Sequence, residues 1–529
     1  MDERISTLEP LPIVCRHVPE FIIAMLEHRH YCDCEETLYN RVMATLKDEC
    51  LGGLAKYIVL FFGNTRLSYD LINELKVEDD SVTCIKSRLD LYEQCISRVD
   101  CSDSVYNITK FYALRHLNSE TFHQGYGRFG HLILRKTSDT QDKLRKSMPN
   151  PSKDLKKFLY KYGLMLNDLK LLLPDWSSLI GHNCHMDIHL MMRDLGWWSG
   201  PVMLLTYRDR IANRYYLELF EKRCPLLIRG ENIPDHLWFE LASLTPFIGV
   251  SQMYWSDMGG RAIQLWEEQG RSWPLLDAHD HKLARRDEYI QYFNKLRREW
   301  GMSEFDWHVC LHVRDTDTRE RQKGFDESNR SASVSSYIDA INFIISQGGW
   351  VIRMGGPKAQ PLPPMDRLID YAHSPKRMPF MDIHLVRMAR MFIGTTSGFS
   401  YVPTCFGIPS AIVNAISPVS QLWTSKTRFS LKPIYRKTDG LVRQKELTSD
   451  VRWALATAET LNYAGLTVKE SSSDEILETV KEVYSLISDG NYPISSRLEA
   501  WGASVSHPGF YGSSKPSSYF LDKYDSFCQ

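Results

Sequence analysis

The sequence predicts an α/β protein built on a doubly wound parallel sheet, preceded by a helical N-terminal region. Three observations predict it. From about residue 166 onward, short apolar runs alternate with amphipathic stretches, the pattern of parallel strands joined by crossover helices. After about residue 300 these runs stop at turns rich in glycine, hydroxyl or charged residues. Before about residue 165, apolar residues recur instead at three- and four-residue spacing, which is the helical period.

Taken in order, the helical region (residues 1–165) shows that spacing in Phe21–Leu26, Leu38–Leu46, Leu67–Leu75 and Leu89–Ile96. Gly52-Gly53, Gly63-Asn64 and Asp100–Asp103 punctuate it, and Met148–Ser152, with two prolines, reads as a linker. A first α/β domain is expected over 166–300. Leu169–Leu173 and Pro201–Thr206 read as strands, Pro225–Ile228 as a further apolar run, and Met186–Leu195, Arg210–Phe220 and Leu283–Trp300 as helices. The loop Gly181–Asp187 is expected to lead into the Met186–Leu195 helix.

A second α/β domain is expected over 301–490. Its strands are Trp307–Val313, Trp350–Met354, Met391–Ile393 and Ser410–Asn414. Its helices are Val334–Ser346, Asp382–Ala389, Tyr401–Phe406 and one running from Ser473 through Ile487, with Ser473-Asp474-Glu475 as its cap. In a doubly wound fold, ligands bind beyond the carboxyl ends of the strands. The tail, 491–529, is expected to pack back on the first α/β domain.

Bulk properties narrow the function classes. A chain of 529 residues exceeds one hydrophobic core, so several domains are expected. With 43% hydrophobic and 24% charged residues it can bury sizeable cores. The net charge of -1 lacks the basic field that a nucleic-acid binder needs. Twelve cysteines without a regular framework point to free thiols in a reducing compartment. The start is acidic and proline-broken, unlike a signal peptide, and no apolar run is long enough to span a bilayer. The expected location is the cytoplasm, with membrane contact only through a partner or a lipid-linked substrate.

Four groups of residues could carry chemistry. His312-Val313-Arg314-Asp315-Thr316-Asp317 follows a strand, so Arg314 offers a planar, permanent cation to phosphate oxygens, with Asp315 and Asp317 nearby either to orient it or to hold ligand hydroxyls. Gly394-Thr395-Thr396-Ser397-Gly398-Phe399 joins a strand to a helix, and its small residues, hydroxyls and N–H groups suit an anion. Arg353 lies in an apolar strand just before Gly355-Gly356 and, if buried, needs either a carboxylate or a ligand. Asp382, at a helix start, either caps the helix or holds a ribose or base. The residues of Glu27–Cys34 are metal-binding in type but too tightly spaced for the usual zinc patterns.

Read together, HVRDTD, NRSAS, GGWVIRMGG, DYAHS, MDIHL, FIGTTSGFS and GIPSAIVN occur in an order that resembles a family of bacterial glycosyltransferases. More distantly, the set is similar to fucosyltransferases of the α-1,6 and protein-O-fucosyl type, which use GDP-fucose. The resemblance covers about residues 170–490 and is strongest over 307–415. It implies a GT-B architecture, two Rossmann-like domains facing a cleft, and no metal. It also implies that Arg314, in a His-x-Arg pattern with His312, contacts a diphosphate, and that the Gly394–Gly398 loop closes on the nucleotide. Asp315 stands where the α-1,6 pattern has a second basic residue, so the sugar nucleotide need not be GDP-fucose.

In that picture Gly181–Asp187 faces the cleft. His182 is the candidate general base, because an imidazole titrates near neutral pH, and Asp187 orients it or acts in its place. The bland alternative is that His182 packs against or caps a helix. The expected activity is sugar transfer, with inversion, from a nucleotide diphosphate sugar (GDP- or UDP-linked) to a hydroxyl of a glycan, lipid-linked or protein acceptor. No further cofactor is expected, and the helical N-terminal region would bind a protein partner or mediate oligomers. The rival from another class is a non-catalytic sugar-nucleotide-binding or scaffold protein. A dehydrogenase is disfavoured because no Gly-x-Gly-x-x-Gly turn follows a first strand.

Overall fold

The computed structural model describes residues 145–524 apart from 147, 251–255, 276–285, 315–327, 417–421, 437–439, 444–460, 462–464, 490–496, 499–500 and 502–512. The helical segments expected before residue 145, the Glu27–Cys34 cluster, Asp315 and Asp317 lie outside the described residues.

The described chain is mixed α/β and divides into two compact units. The smaller comprises 145–172 and 227–250. In it the Lys153–Tyr160 helix is capped by Ser152, whose hydroxyl accepts from the Leu155 N–H at 3.0 Å and donates to Glu240 at 2.8 Å. Strand β1 (Lys170–Leu172) of this unit pairs parallel with its β4 (Gly249–Val250). The larger unit comprises 173–226 and the described residues from 256 onward. It contains β2 (Val202–Thr206), buried along its whole length, and the boundary between the units runs through β3 (Leu226–Ile228).

The larger unit is organised by a seven-stranded sheet. Its strands are β5 (His308–His312), β6 (Trp350–Met354), β7 (Leu368–Ile369), β8 (Met391–Gly394), β9 (Ser410–Ala415), β10 (Thr427–Leu431) and a C-terminal strand (Lys515–Pro516). The spatial order is C-terminal strand, β10, β9, β8, β5, β6, β7, and every pair in it is parallel. The chain therefore runs outward from β5 through β6 to β7, then returns to β8 on the other side of β5 and continues to β9 and β10. That reversal makes the β5–β8 boundary the topological switch point, where helices leave opposite faces and a crevice opens at the strand ends. A smaller three-stranded sheet joins β11 (Ile434–Arg436) antiparallel to β12 (Gly440–Leu441) and to β13 (Leu466–Val468); the C-terminal strand is thus β14.

Sequence explains the sheet's interior. Val309, Leu311, Val351, Ile393, Ala411 and Val413 are buried with Ile341 and Ile344 of the Ile338–Ser346 helix, and with Ile476, Val480 and Val483 of the Ser473–Asp489 helix. Strands buried on both faces read as continuous apolar runs, which makes them legible in the sequence. One ion pair sits deep in this packing: Arg428 Nε on β10 meets Glu482 Oε1 at 2.9 Å, and Glu482 also accepts the Ser518 N–H at 2.7 Å. Cys184, Cys224, Cys310 and Cys405 are buried free thiols. Among the described residues no helix is long and apolar enough to cross a membrane, and no cluster of three or more His, Cys, Asp or Glu could hold a metal.

Three expectations change. Gly181–Asp187 is not a loop; it forms the first two turns of a helix spanning Ile180–Asp194, because the buried positions Gly181, Cys184, Ile188 and Met191, at three- and four-residue spacing, extend its inner face back towards Ile180. Asp382 does not cap its helix, which spans Pro379–Arg387; Pro379 takes the first position, where its missing N–H costs nothing, and Met378 precedes it. The described part of the tail reaches beyond the first expected α/β domain: Ser513 meets Glu267 of that domain, but the strand after it lies elsewhere. Lys515–Pro516 adds to the edge of the seven-stranded sheet beside β10, satisfying an otherwise open strand edge.

His308 gives this fold a measurable pH dependence. Its Nε2–H donates to the Leu385 carbonyl at 2.9 Å, and burial lowers its pKa to about 4, with Arg297 adding to the effect. The folded state holds the neutral ring, so its contribution is complete above the unfolded value near 6.5 and is lost as pH falls from there towards 4. The loss is on the order of 3 kcal/mol. Urea denaturation between pH 7 and 4.5 should show this decline, and His308→Gln should make it shallower.

Candidate functional site

The carboxyl ends of β5 and β8 lie side by side, and two short-range contacts lock them. The Thr395 N–H donates to the His312 carbonyl at 3.2 Å, and the Arg314 N–H donates to Thr395 Oγ1 at 3.0 Å. A threonine at 395 is thus fully buried and used by the backbone of the facing strand end. Its neighbour Thr396 differs: its Oγ1 is buried and has no hydrogen-bond partner among the described residues. A buried hydroxyl without a partner is costly in an empty site and favourable once a ligand bonds to it.

Ser397 and Gly398 shape the turn after them. Ser397 and Ser400 form a reciprocal capping box around the short Gly398–Tyr401 turn. Ser397 Oγ lies 3.4 Å from His312 Nδ1, and the Phe399 ring packs on the His312 ring at 4.9 Å between centroids. His312, Arg314, Thr395, Thr396, Ser397, Gly398 and Phe399, seven of the expected site residues, therefore form one contiguous constellation at the switch point.

The Ile180–Asp194 helix starts against this loop. A Cβ on Gly181 would stand 2.6 Å from Gly398 Cα, so glycine is needed for the two backbones to approach. His182 comes immediately after. Its Nδ1 lies 2.7 Å from the Asp175 carbonyl oxygen. A carbonyl can only accept, so Nδ1 carries the proton and the neutral ring presents its lone pair on Nε2. One turn on, the His185 ring stacks on His182 at 5.9 Å and faces Tyr401 at 5.9 Å. Burial, then the neighbouring His182, push the His185 pKa down to about 3, so this ring is neutral at physiological pH.

The remaining expected residues are placed elsewhere. Asp187 is fully buried and pairs with Arg223 Nη1 at 2.8 Å; burial raises its pKa, and Arg223 opposes the rise. The group orienting His182 is the Asp175 carbonyl rather than Asp187. Arg353 is fully buried on β6, on the side of β5 away from β8, and donates to Asp370 at 3.3 Å. Asp370 also meets His373 at 3.0 Å and the Leu362 N–H at 3.2 Å, so Arg353 anchors the loop after β6. Gly355 begins that loop at φ +146°, a region that L side chains rarely adopt. Asp382 is gripped by Arg377 at 3.1 and 3.4 Å, and burial raises its pKa against that pairing.

Sequence reading missed His185, Asp175 and Arg330. His185 was recoverable, since a helix starting at Ile180 puts residues three apart on one face. Asp175 acts through its carbonyl and leaves no local signal, whereas Arg330 lies in the NRSAS motif, whose chemistry no single residue type marks out.

No protein-family model matches the chain, and no curated protein matches it. Among solved structures, it is similar to the iron-containing dodecameric glycosyltransferase TibC from enterotoxigenic E. coli H10407, at a TM-score of 0.30 and 13% identity, over 61% of this chain and 77% of that one. A likeness this distant carries no weight for either chain's chemistry.

The Gly181–Gly398 contact yields a directional test. Gly181→Ala drives a methyl into backbone and should destabilise the protein by about 1–3 kcal/mol, even though alanine is the better helix former. Gly398→Ala meets Gly181 at 3.0 Å or more and should cost less. Urea titration of both variants checks the order.

Proposed function

We propose that this protein is a glycosyltransferase that moves a sugar from a nucleotide diphosphate sugar to an acceptor hydroxyl. The observation that carries the reading is the convergence, at one switch point, of Arg314, the Thr395–Gly398 loop and a histidine whose Nε2 lone pair is fixed by its partner. Two of the ordered motifs that resemble glycosyltransferases, HVRDTD and FIGTTSGFS, carry Arg314 and this loop. Residues 301–490 would bind the donor and 166–300 the acceptor, as in a GT-B enzyme.

In the proposed step, His182 Nε2 takes the proton of the acceptor hydroxyl. The acceptor oxygen forms a bond to the anomeric carbon from the face opposite the diphosphate. The bond from that carbon to the phosphate oxygen breaks, and both its electrons leave with the nucleoside diphosphate, so the configuration inverts. Arg314, the Thr396 and Ser397 hydroxyls and the loop N–H groups meet the charge that builds on the leaving group, the kind of electrostatic assistance that contributes several kcal/mol in such sites. Arg353 and Asp382 support the loops around the nucleotide. In this reading no metal is required, and the donor's base and sugar are left to experiment.

Thermal shift and turnover with GDP-, UDP-, dTDP- and CMP-sugars test the reading. One donor should stabilise the wild type and be slowly hydrolysed, with both effects lost in Arg314→Ala. His182→Ala should keep donor binding within a few-fold but lower kcat by about 10²–10⁴. A donor that binds but is never hydrolysed or transferred would favour a non-catalytic sugar-nucleotide-binding protein. If no donor shifts the melting temperature, the site is something else.

A further inference from the structure

The segment that returns to the sheet edge before the Ile338–Ser346 helix brings in a second arginine. Three anchors fix its course. The Ala332 N–H donates to the Arg314 carbonyl at 2.9 Å, the buried Lys432 ammonium donates to the Ser331 carbonyl, and the Ser333 N–H donates to Glu470 at 2.9 Å. Held in this way, half-buried Arg330 places Nη2 3.5 Å from the Thr396 carbonyl. Arg314 and Arg330 thus engage consecutive residues of one loop: Arg314 through its backbone N–H on Thr395, Arg330 through its guanidinium on Thr396. The same guanidinium lies near the Tyr401 phenol, where burial raises the pKa to about 12 and Arg330 is the charge pulling it back.

This arrangement bears on how a diphosphate is held. A nucleoside diphosphate presents two phosphates, and its negative charge grows when the sugar bond breaks. One arginine can meet one of them, and the residue after Arg314 in the sequence is an acid, Asp315. A guanidinium has five N–H donors, so a contact to the Thr396 carbonyl is compatible with a bidentate grip on phosphate oxygens. Thr396, whose carbonyl Arg330 meets, also carries a buried Oγ1 with no hydrogen-bond partner among the described residues.

We propose that Arg330 is the second cation of the donor site, holding one phosphate while Arg314 holds the other, and that it makes the site selective for nucleoside diphosphates over monophosphates. This rests on the reading that the site takes a nucleotide diphosphate sugar. Arg330 stands 66 residues before Thr396, and the folded chain brings its guanidinium to the Thr396 carbonyl.

The test is calorimetric titration of the full chain with GDP and GMP, and with UDP and UMP. Wild type is compared with Arg330→Gln, which can still donate to the Thr396 carbonyl but has no charge, and with Arg330→Lys, which keeps the charge. The wild type should prefer one diphosphate over its monophosphate by about tenfold or more, a difference near 1.4 kcal/mol. Arg330→Gln should bring that ratio close to one while changing monophosphate affinity little, and Arg330→Lys should retain part of it. Equal losses for monophosphate and diphosphate in Arg330→Gln would make Arg330 a structural support of the loop and overturn the proposal; no loss for either would also overturn it. If Arg330→Gln does not fold, Arg330→Lys decides: equal losses for monophosphate and diphosphate overturn the proposal, and a partial loss confined to the diphosphate supports it. A wild type that binds neither diphosphate removes the donor reading itself, a result distinct from failure of Arg330 alone.

Discussion

A parallel sheet whose strand order reverses between β5 and β8 is the constraint on which the rest of the larger unit depends. Because the chain leaves β5 towards β6 and returns to β8 on the other side, the loops after these two neighbouring strands are free of a shared crossover and can splay. Their first residues are nevertheless tied together, through Thr395 N–H to the His312 carbonyl and Arg314 N–H to Thr395 Oγ1. Chemistry placed there is held by strands rather than by mobile loops, the arrangement that keeps polar groups in fixed geometry.

The charged groups of this unit fall into two kinds. Arg428 with Glu482, Asp187 with Arg223 and Arg353 with Asp370 each place a buried charge against a partner, which is what desolvation demands. These pairs join elements: β10 to the Ser473–Asp489 helix, the Ile180–Asp194 helix to the chain before β3, and β6 to the loop after it. Arg314 and Arg330 differ in position: half-buried, they stand beside the loop after β8, with the backbone around them held by bonds such as Ala332 to Arg314.

The histidines near the loop have different environments on one helix face. The Asp175 carbonyl sets the tautomer of His182, whereas His185, deeper in, is kept neutral by burial and by its neighbour. Two imidazoles stacked this closely do not both take a proton readily, because each positive ring raises the cost of the other. The approach of Gly181 to Gly398 brings this pair to the loop, so the packing of two glycines and the position of the candidate base are a single structural fact.

By itself the sequence determined the α/β class, the strands Trp350–Met354 and Ser410–Ala415 to within a residue, and the placement of His312, Arg314 and Thr395–Phe399 at strand ends. These are local properties: a strand buried on both faces is a run of apolar residues, and the residues directly after such a run must lie at a sheet edge. It misread Gly181–Asp187, because glycine and two histidines mask a helical inner face whose burial comes from other parts of the chain. Only the tertiary structure decided that Asp187 and Arg353 serve ion pairs, that Asp175 orients His182, and that Arg330 joins the loop. Strand order, the direction of each crossover and the partner of each buried charge arise from contacts between residues tens to hundreds of positions apart, and no local pattern encodes which of those contacts the folded chain will make.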